Sequence, residues 1–545
     1  MEREAALERM AGAPLDLVVV GGGITGCGVA RDAALRGLSV ALLEKEDFGA
    51  GTSSRSSKII HGGVRYLEQR HFLLVRESAR ERGVLKAIAP HLVHRIPFHY
   101  PVFGDESYWK VRAGLTLFDF LAGSRGSDRS RGLDPTQTRQ AIPGLREPLK
   151  GAVRYPEYIT DDARFTLENA LSAMDHGALV ANHARVVELL ESNGRIRGVS
   201  VEDGIGGETR EVLARAVVNA TGPWVALFME GPGLGTRKEI LASKGIHILL
   251  PANRLPIEGA TFLRSPTGRR GLAMRRGDWV YVGTSDDPYH GDLDKVRATR
   301  DEVEELLEMT RSCFPDAALR SDHVEASWAG LRPLILEEGK STRDMSREDE
   351  VWVDPPGLVT VAGGKLTTYR RMAERVLRGA EETMGAPLPP GGATCRVPLP
   401  GCPGAPEEEG TAPLHLLEKE GVPPEVLERV GWLYGSQIHR LLEFGTEDPS
   451  WLRPLGSGVP ALRGEVRLAV EDEMARTLVD FMDRRSALLL FAPSHGLRGA
   501  EEAARIMAGL LGWSDERREA ELLQYRTFAE GHGLPSPLTG EGRSG

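Results

Sequence analysis

A strand, a glycine turn, a helix and a second strand follow one another near the start of this chain. Leu15–Val20 is a short apolar, β-branched run, which is typical of a buried parallel strand. Gly21, Gly23 and Gly26 follow in the G-x-G-x-x-G spacing that permits a tight turn, a close pyrophosphate and packing of helix on strand. The second strand ends at Glu44, where a carboxylate can bind a ribose. The pattern predicts a dinucleotide site. The alternative interpretation is a glycine-rich turn in another kind of α/β protein.

Length and charge narrow the class of protein. A chain of 545 residues is too long for one compact core, so we expect two or three domains. The net charge of −10 argues against nucleic acid as a partner. The charged first residues and the lack of a long apolar run predict neither a secretory signal nor a membrane span. Four cysteines without C-x-x-C spacing predict no disulfide framework and no metal site, so we expect a cytoplasmic protein that could also lie at a membrane surface.

Two later segments repeat the strand–glycine–helix arrangement. Ala220-Thr221-Gly222 follows one apolar run, and Gly363-Gly364-Lys365 follows another. Their return to one glycine-rich edge predicts that a single large cofactor is held from both sides. Residues 91–165 are irregular in pattern and punctuated by prolines, and with residues 241–350 they predict a substrate-binding domain inserted into the cofactor-binding domain.

The predicted domains follow from these shifts in pattern. The cofactor-binding domain is discontinuous, the linker is rich in Gly and Pro, and the C-terminal block is helical, with predicted helical segments at 414–446, 464–485, 499–512 and 515–530. The predicted boundaries are 12–90, 165–240 and 351–385 for the cofactor-binding domain, 91–164 and 241–350 for the substrate-binding domain, 386–412 for the linker and 413–535 for the helical domain.

Three motifs, with the glycine fingerprint and Glu44, resemble one known family. They are His61-Gly62-Gly63-Val64-Arg65-Tyr66, Gly330-Leu331-Arg332-Pro333-Leu334 and Gly363-Gly364-Lys365-Leu366-Thr367-Thr368-Tyr369-Arg370. In this order, over most of residues 15–380, they are similar to the FAD-dependent glycerol-3-phosphate dehydrogenases. The resemblance implies an α/β fold: a Rossmann-like FAD-binding domain of the glutathione-reductase/D-amino-acid-oxidase type, an inserted α+β substrate domain and a C-terminal α-helical domain.

The resemblance also implies a reaction and partners. FAD would take a hydride from sn-glycerol 3-phosphate, giving dihydroxyacetone phosphate, and a membrane quinone would accept the electrons. The protein would associate peripherally with the inner face of the cell membrane, as a monomer or a homodimer. The chain lacks the large insertion of the related oxygen-using oxidases, which favours the quinone.

The resemblance implies that FAD is contacted from the glycine junctions and from the serine-rich run after Glu44. The residues implied are Gly21, Gly23, Ile24, Thr25, Gly26, Glu44, Lys45, Thr52, Ser53, Ser57, Lys58, His61, Gly62, Val186, Ala220, Thr221, Gly222, Trp224, Gly364, Lys365, Leu366 and Thr367.

The implied reaction needs a phosphate clamp and a base. Guanidinium groups suit a phosphate dianion, and the family pattern offers Arg332 and Arg343, with Arg65, Tyr66 and Lys365 nearby. Each of these cations could instead form a surface salt bridge. His61 is the first candidate for the general base, since a neutral imidazole accepts a hydroxyl proton near neutral pH, although it could simply pack on the flavin. His247 is the second candidate, and Arg332 could polarise the hydroxyl.

Three other functions compete with the dehydrogenase. An oxidase would pass the electrons to oxygen and release hydrogen peroxide. A nicotinamide-dependent dehydrogenase would explain residues 15–44 but would leave the later glycine junctions without a role. A non-catalytic nucleotide-binding protein would bind its cofactor without turnover. The basic pairs Arg269-Arg270 and Arg275-Arg276 are typical of solvated loops, and in a peripheral protein such runs also meet anionic lipid.

Overall fold

Two sheets and a group of C-terminal helices make up the molecule. This computed structural model describes residues 3–64, 67, 71–104, 106–230, 238–266, 268–336, 349–402 and 411–533. The strands are β1 (Leu15–Val20), β2 (Val40–Leu43), β3 (Ile59–Ile60), β4 (His94–Phe103), β5 (Arg131–Leu133), β6 (Leu149–Ile159), β7 (Leu179–Ala181), β8 (Ala184–Ser192), β9 (Arg195–Asp203), β10 (Thr209–Asn219), β11 (Ile240–Pro251), β12 (Ala260–Arg264), β13 (Arg270–Arg276), β14 (Trp279–Gly283), β15 (Asp287–Pro288), β16 (Ala326–Ile335), β17 (Asp349–Val353) and β18 (Leu358–Gly363).

The helices lie between and after these strands. They are α1 (Arg3–Gly12), α2 (Ile24–Leu35), α3 (Phe72–Ile88), α4 (Tyr108–Ala122), α5 (Pro135–Ala141), α6 (Asp162–Asp175), α7 (Val225–Glu230), α8 (Arg300–Cys313), α9 (Tyr369–Met384), α10 (Thr411–Lys419), α11 (Pro424–Tyr434), α12 (Ile438–Glu447), α13 (Arg463–Glu471), α14 (Leu488–Phe491), α15 (Leu497–Leu511) and α16 (Asp515–Glu530). Single turns of 3₁₀ helix lie at Thr52–Ser54 and Leu366–Thr368, and a π-helix lies at Asp480–Arg485.

The first sheet has the main order β17-β18-β10-β1-β2-β7, in which all strands except β17 are parallel to one another. β9 pairs antiparallel with β10, and β8 pairs antiparallel with β9. In β1, Leu17 and Val19 pack into the core shared with α2, whereas Val18 and Val20 pack into the core on the opposite face. Because both faces of β1 are buried, the strand is apolar throughout. The predicted strand–turn–helix–strand unit is confirmed.

The second sheet is mixed and has the order β15-β11-β14-β13-β12-β4-β6-β3, with β16 paired to β11 and β5 to β6. β11 and β16 pair antiparallel from Ile240 opposite Ile335 to Leu249 opposite Ala326. This pair places Gly330 opposite Gly245 and Arg332 opposite Ser243, and it places Trp328 opposite His247. The second sheet therefore supplies one wall of the cavity that lies between the two sheets.

The predicted irregularity of residues 91–165 is wrong. β4 and β6 are long antiparallel strands of the second sheet, and Pro97 lies opposite Pro156 within them. Proline cannot donate a ladder hydrogen bond, so it is tolerated where a strand lacks a partner on one side. β12 pairs with β4 only at Phe98 and His99, which leaves Pro97 and Pro101 outside that contact. These two prolines thus mark gaps in strand pairing rather than loops.

The C-terminal block is helical, as predicted: α15 and α16 match the predicted segments 499–512 and 515–530, whereas the segments 414–446 and 464–485 are each divided. The predicted segment 464–485 is divided, because α13 ends at Glu471 and the π-helix begins only at Asp480. The Asp480 carboxylate accepts hydrogen bonds from the amides of Arg476 and Thr477, each at 2.9 Å, and this holds the chain in a turn before the π-helix. A buried acid acting as a local cap is not visible in hydrophobic periodicity.

Residues 386–402 of the predicted linker run along the helices of the first sheet. Arg31 of α2 donates to the carbonyl of Val397 at 2.6 Å, and the amide of Leu399 donates to Ile88 at 2.8 Å. No helix in the described ranges is both long and apolar enough to cross a membrane. Within the same ranges, no group of His, Cys, Asp and Glu side chains is placed to hold a metal ion.

Buried charges join the C-terminal helices to the first sheet. His183 lies just after β7, and its Nε2 lies 2.9 Å from the carboxylate of Asp480 in the π-helix. Burial lowers the pKa of His183, but the charge and hydrogen bond of Asp480 outweigh burial and raise it. The pair therefore stabilises the folded state most when the imidazole is protonated.

We expect His183→Asn to destabilise the protein more in acid than in base. Asparagine tolerates the left-handed backbone of His183, whose φ is +48°. Because the folded-state pKa is raised, the stabilisation is full below the unfolded value of 6.5 and is lost as the pH rises through the folded-state pKa. Urea unfolding should show a loss of about 1–3 kcal/mol at about pH 6 that shrinks by about pH 9.

His176→Asn is the control for this series, since His176 lies at the exposed end of α6 and bonds only locally, to the carbonyl of Ser172. We expect it to have little effect at either pH. A loss in His183→Asn that is the same at both pH values would contradict the role of the ion pair.

Candidate active site

The turn after β1 leaves no room for side chains. Gly21 has a φ of +107°, and a Cβ on it would lie 2.6 Å from the carbonyl oxygen of Ala220. A Cβ on Gly26 would overlap the carbonyl oxygen of Gly21. Helix α2 therefore begins directly above the end of β1, and the Ala220 turn lies against it.

The start of α2 meets the serine-rich loop. The amide of Ile24 donates to Ser53 Oγ at 2.9 Å, and a Cβ on Gly23 would lie 3.3 Å from the same hydroxyl. Thr25, the second residue of the helix, is half-buried. The positive end of the helix dipole makes this edge suitable for a phosphate.

Glu44 ends β2 beside this turn. Its carboxylate accepts hydrogen bonds from the amides of Gly22, at 2.6 Å, and Glu46, at 2.9 Å. Burial raises the pKa of Glu44, although both amide hydrogen bonds oppose that rise. The acid is therefore held at the strand end, where the sequence placed it.

The second glycine junction continues this edge. The Ala220 amide donates to the carbonyl of Val20 at 2.9 Å, and Thr221 Oγ1 donates to Asn219 Oδ1 at 2.7 Å. Gly222 has a φ of +61°. These contacts join the ends of β1 and β10 and bring Ala220, Thr221 and Gly222 next to the first glycine turn.

Lys45 and Trp224 both contact Asp294, which lies in the connection between β15 and α8. Lys45 Nζ lies 2.5 Å from Asp294 Oδ1 and 4.3 Å from the centre of the Trp224 ring, and Trp224 Nε1 donates to the same oxygen at 3.0 Å. A Cβ on Gly51 would lie 3.0 Å from the indole. Asp294 was not predicted, because nothing in its local sequence indicates contact with residues so distant along the chain.

A cavity of about 610 Å³ lies between the two sheets. Residues of the serine-rich loop and of the third glycine junction form one side, and β11, β14 and β16 form the other. The predicted site residues that line it are Thr52, Ser57, His61, His247, Arg332, Gly364, Lys365, Leu366 and Thr367. Residues from four distant segments therefore meet in one cavity.

Arg332 is held on the wall of this cavity. Its guanidinium donates to Thr284 Oγ1 at 2.8 Å and to the carbonyl of Ser285 at 3.2 Å, and it lies 3.3 Å from the Asp286 carboxylate. A Cβ on Gly245, the residue that precedes Ile246 on the facing strand, would lie 2.6 Å from Arg332 Nη1. The glycine thus makes space for a fixed guanidinium.

His247 lies beside Arg332 and is neutral. Its ring stacks on Trp328 at 4.9 Å with an interplanar angle of 10°, and Nε2 lies 2.8 Å from Ser57 Oγ. Gly283 packs against the ring, where a Cβ would overlap it. Burial, Arg332 and Lys58 together lower the pKa of His247 well below 6.5. The imidazole is therefore uncharged around neutral pH.

His61 lies on a segment anchored from both sides. Its amide donates to Thr367 Oγ1 at 3.3 Å, and the amide of Gly62 donates to the Glu157 carboxylate at 3.0 Å. Glu157 in turn pairs with Arg82 at 2.7 Å. The His61 side chain is one of those lining the cavity.

The side chains of Lys58 and Val186, two of the predicted cofactor residues, point away from both the cavity and the glycine turns. Lys58 Nζ lies 2.5 Å from Asp162 and 3.1 Å from the Ser54 carbonyl, because its left-handed backbone turns the side chain into the interior. Val186 lies on β8 and packs with the core on the far face of the first sheet. Arg65, Tyr66 and Arg343 lie outside the described residues.

Several cavity cations were missed as site residues. Arg55 was passed over within a serine-rich run, and Arg269 and Arg270 were interpreted as a solvated or lipid-facing pair. Arg276, of the second basic pair, is largely buried and lies 3.0 Å from Asp161, so the solvated-loop interpretation is wrong for it. The cations lining the cavity are Arg55, Arg264, Arg269, Arg270, Arg332 and Lys365, and the acids are Glu157 and Asp286. This excess of cations favours an anionic ligand.

Comparison with known proteins accounts for this arrangement. Residues 16–370 match the model of a family described as FAD dependent oxidoreductase, and residues 392–518 match the C-terminal domain of alpha-glycerophosphate oxidase. The aerobic glycerol-3-phosphate dehydrogenase of Bacillus subtilis is 36% identical over 505 residues, which cover 90% of each chain. The glycerol-3-phosphate dehydrogenase of Mycobacterium leprae is 36% identical over 539 residues, covering 97% of this chain and 90% of that one.

The solved structure of a glycerol-3-phosphate dehydrogenase from Bacillus halodurans, complexed with FAD, superposes with a TM-score of 0.81. The two chains are 32% identical, and 97% of each is covered. This chain belongs to the family of FAD-dependent glycerol-3-phosphate dehydrogenases. The predicted fold and family are confirmed, and the cofactor of the family is FAD.

The residues present fit such a dinucleotide. The glycine turn excludes side chains where the first strand meets α2, and Glu44 lies at the neighbouring strand end, as a ribose-binding acid does. The third glycine junction lines the cavity between the two sheets with Lys365, Leu366 and Thr367. A nicotinamide enzyme would leave that junction without a role.

We expect Gly26→Ala to remove FAD from the purified protein. The added methyl group would overlap the Gly21 carbonyl, so the turn and the start of α2 must separate. Gly83→Ala is the matched control, because Gly83 lies inside α3 with no atom within 4 Å of an added Cβ. The control should keep its flavin and gain about 0.5–1 kcal/mol of stability. The flavin-to-protein absorbance ratio measures the FAD content of each variant. A ratio for Gly26→Ala equal to that of the wild type would contradict the steric argument.

Proposed function

We propose that this chain oxidises sn-glycerol 3-phosphate to dihydroxyacetone phosphate and passes the electrons to a membrane quinone. The observation that carries the proposal is the cationic cavity in which Arg332, His61 and His247 meet. The names of the similar proteins supply the substrate, and the cavity offers the anion-binding groups that this substrate requires.

FAD is proposed to bind along the three glycine junctions. Gly21, Gly23, Ile24, Thr25 and Gly26 would face its diphosphate, and Glu44 a ribose. The remaining contacts are proposed for Lys45, Thr52, Ser53, Ser57, His61, Gly62, Ala220, Thr221, Gly222, Trp224, Gly364, Lys365, Leu366 and Thr367. Bound FAD supplies a two-electron acceptor for the substrate's hydride.

Arg332 is proposed to bind the phosphate. A guanidinium held by Thr284 and Ser285 loses little freedom when it binds, and its planar fork matches two phosphate oxygens. The family pattern adds Arg343, Arg65 and Tyr66 to this clamp as predictions. Lys365, at the third glycine junction, would add positive charge on the opposite side of the cavity.

His61 is proposed as the general base. An imidazole nitrogen of His61 would take the proton from the hydroxyl at C2 of the substrate, while Arg332 holds the phosphate end. His247 is already bonded to Ser57 and stacked on Trp328, so its rigid neutral ring suits a supporting contact to the substrate better than exchange of a proton. The amides at the start of the Leu366–Thr368 turn would stabilise negative charge nearby.

An exposed apolar face supports contact with a membrane and its quinone. On α4, Trp109 is 77% exposed and Phe120 is 81% exposed, and on the neighbouring α3 Leu73 is 85% exposed. Lys110 and Arg125 lie exposed at the edge of this face, as in helices that lie on anionic lipid. A homodimer stays a prediction.

The same helix lies close to the proposed active site. Phe118, on the buried side of α4, packs against Gly62, where an added Cβ would lie 2.6 Å from the Phe118 ring. One helix thus separates the apolar face from the His61–Gly62 segment, which supports a short route for electrons to a lipid-soluble acceptor.

Anaerobic visible spectra test the proposed reaction. We expect the flavin bands to bleach when glycerol 3-phosphate is added, and to return when a water-soluble quinone is added. Bands that persist would contradict the substrate. Rapid formation of hydrogen peroxide in air, with slow quinone reduction, would instead favour the oxidase.

Arginine variants extend this test to the phosphate clamp. Arg332→Lys should lower kcat/KM by about 10–100-fold, because lysine cannot reproduce the two-pronged hydrogen bond. Arg320→Lys, at an exposed pair with Asp322, is the control and should leave kcat/KM unchanged. Equal activity of both variants would remove Arg332 from the proposed clamp.

We expect a Trp109→Ser/Phe120→Ser double variant to bind anionic vesicles at least about tenfold more weakly, because two large apolar side chains are lost from the face. Sedimentation with phosphatidylcholine–phosphatidylglycerol vesicles measures the binding. Leu523→Ser, which removes a 66% exposed leucine from α16, is the control. Equal binding by the double variant and the control would contradict the assignment of this face.

A further inference from the structure

The π-helix of the C-terminal block carries four charges in six buried residues. Asp480, Asp483, Arg484 and Arg485 are each at most 5% exposed. Their partners lie outside the C-terminal helices as well as among themselves. None of these four residues belongs to the proposed catalytic or binding set.

The two arginines hold the loop that follows β2. Arg484 Nε and Arg485 Nη1 each lie 2.6 Å from Asp47 Oδ2, and Arg485 Nη2 lies 2.9 Å from Asp47 Oδ1. Asp47 comes three residues after Glu44, and the amide of Gly49 donates to the carbonyl of Gly22 in the glycine turn. The C-terminal block therefore reaches the proposed ribose and diphosphate side of the site through one carboxylate.

Asp483 holds the serine-rich part of the same connection between β2 and β3. Its two oxygens accept from Arg55 Nη1 at 3.1 Å and Arg55 Nη2 at 2.6 Å, a two-pronged pair. Arg55 follows the Thr52–Ser54 turn and lines the cavity, and its carbonyl lies against Gly330, where a Cβ would come within 2.7 Å. Burial raises the pKa of Asp483, but Arg55 and Arg484 outweigh it and hold it at about 2.

Stability alone does not explain these charges. A buried ion pair must overcome the loss of hydration of both partners, and an apolar pair of similar volume is often as stable. What such a pair adds is a defined geometry between the groups that it joins. Here the joined groups are the π-helix and two points, Asp47 and Arg55, of the connection between β2 and β3.

We infer that Asp483 is a positioning residue for FAD: through Arg55 it fixes the serine-rich part of the connection between β2 and β3, whose first part Arg484 and Arg485 hold at Asp47. The C-terminal helices thereby complete the cofactor site without touching it. This inference rests on FAD as the cofactor and does not depend on which substrate reduces it.

The test is the rate at which the full-length holoenzyme releases FAD on dilution, followed by the rise in flavin fluorescence. Asp483→Asn keeps the shape of the side chain and removes its charge. We expect release to be about tenfold faster or more, as when a supporting partner of a binding group is lost. Arg55→Gln should give a change of similar size.

Glu473→Gln is the matched control. Glu473 is as buried as Asp483 and joins the same two parts of the molecule, but its carboxylate pairs with Arg164 of α6 at 2.5 Å. Its carboxylate lies 3.9 Å from Arg485 Nε, so it meets the connection between β2 and β3 only through that arginine. We expect this variant to unfold at a lower temperature and to release FAD at the wild-type rate. Equal release rates in Asp483→Asn and Glu473→Gln would overturn the inference.

The double variant Arg55→Gln/Asp483→Asn keeps the test decisive if the single variant does not fold. It leaves neither member of the pair as a lone buried charge, yet the serine-rich loop still loses its anchor. Fast FAD release by the double variant supports positioning, and a wild-type rate overturns it. If FAD is retained normally by wild type but glycerol 3-phosphate does not reduce it, the proposed substrate fails and this inference stands.

Discussion

The contact between Gly26 and the carbonyl of Gly21 is the constraint on which the cofactor side of the molecule depends. No side chain fits there, so α2 starts directly above the end of β1 and presents its first amides at the sheet edge. Ala220 packs against the same turn, and the Ser53 hydroxyl meets the first amide of the helix. One backbone contact thus decides where three separate segments of the chain converge.

Buried charge plays the corresponding part at longer range. Asp47 and Arg55 lie at two points of the connection between β2 and β3, and both pair with the π-helix Asp480–Arg485. Such pairs are directional, and breaking one leaves a charge without hydration, so this connection cannot shift against the π-helix at small cost. The C-terminal helices are therefore a structural part of the cofactor site as well as a domain of their own.

Prediction from sequence succeeded where structure is local. The β1–α2–β2 unit, Glu44 at its end and the later glycine junctions follow from spacing and apolar runs, and the cavity does contain His61, His247 and Arg332. It failed for β4 and β6, since prolines that mark gaps in strand pairing look the same as prolines in loops. It could not show that the side chain of Lys58 turns inward to Asp162, more than a hundred residues along the chain.

The sequence by itself determined the kind of fold, the cofactor class and the family, because these depend on residue types at short, fixed spacing in the glycine fingerprint and in three later motifs. Only the tertiary structure decided which cations share the cavity and what holds them. Arg55 with Asp483, and Arg332 with Thr284 and Asp286, are partners brought together by the packing of two sheets and a helical domain. Pairing between distant charges follows from three-dimensional distance and burial, and neither quantity is encoded in local spacing.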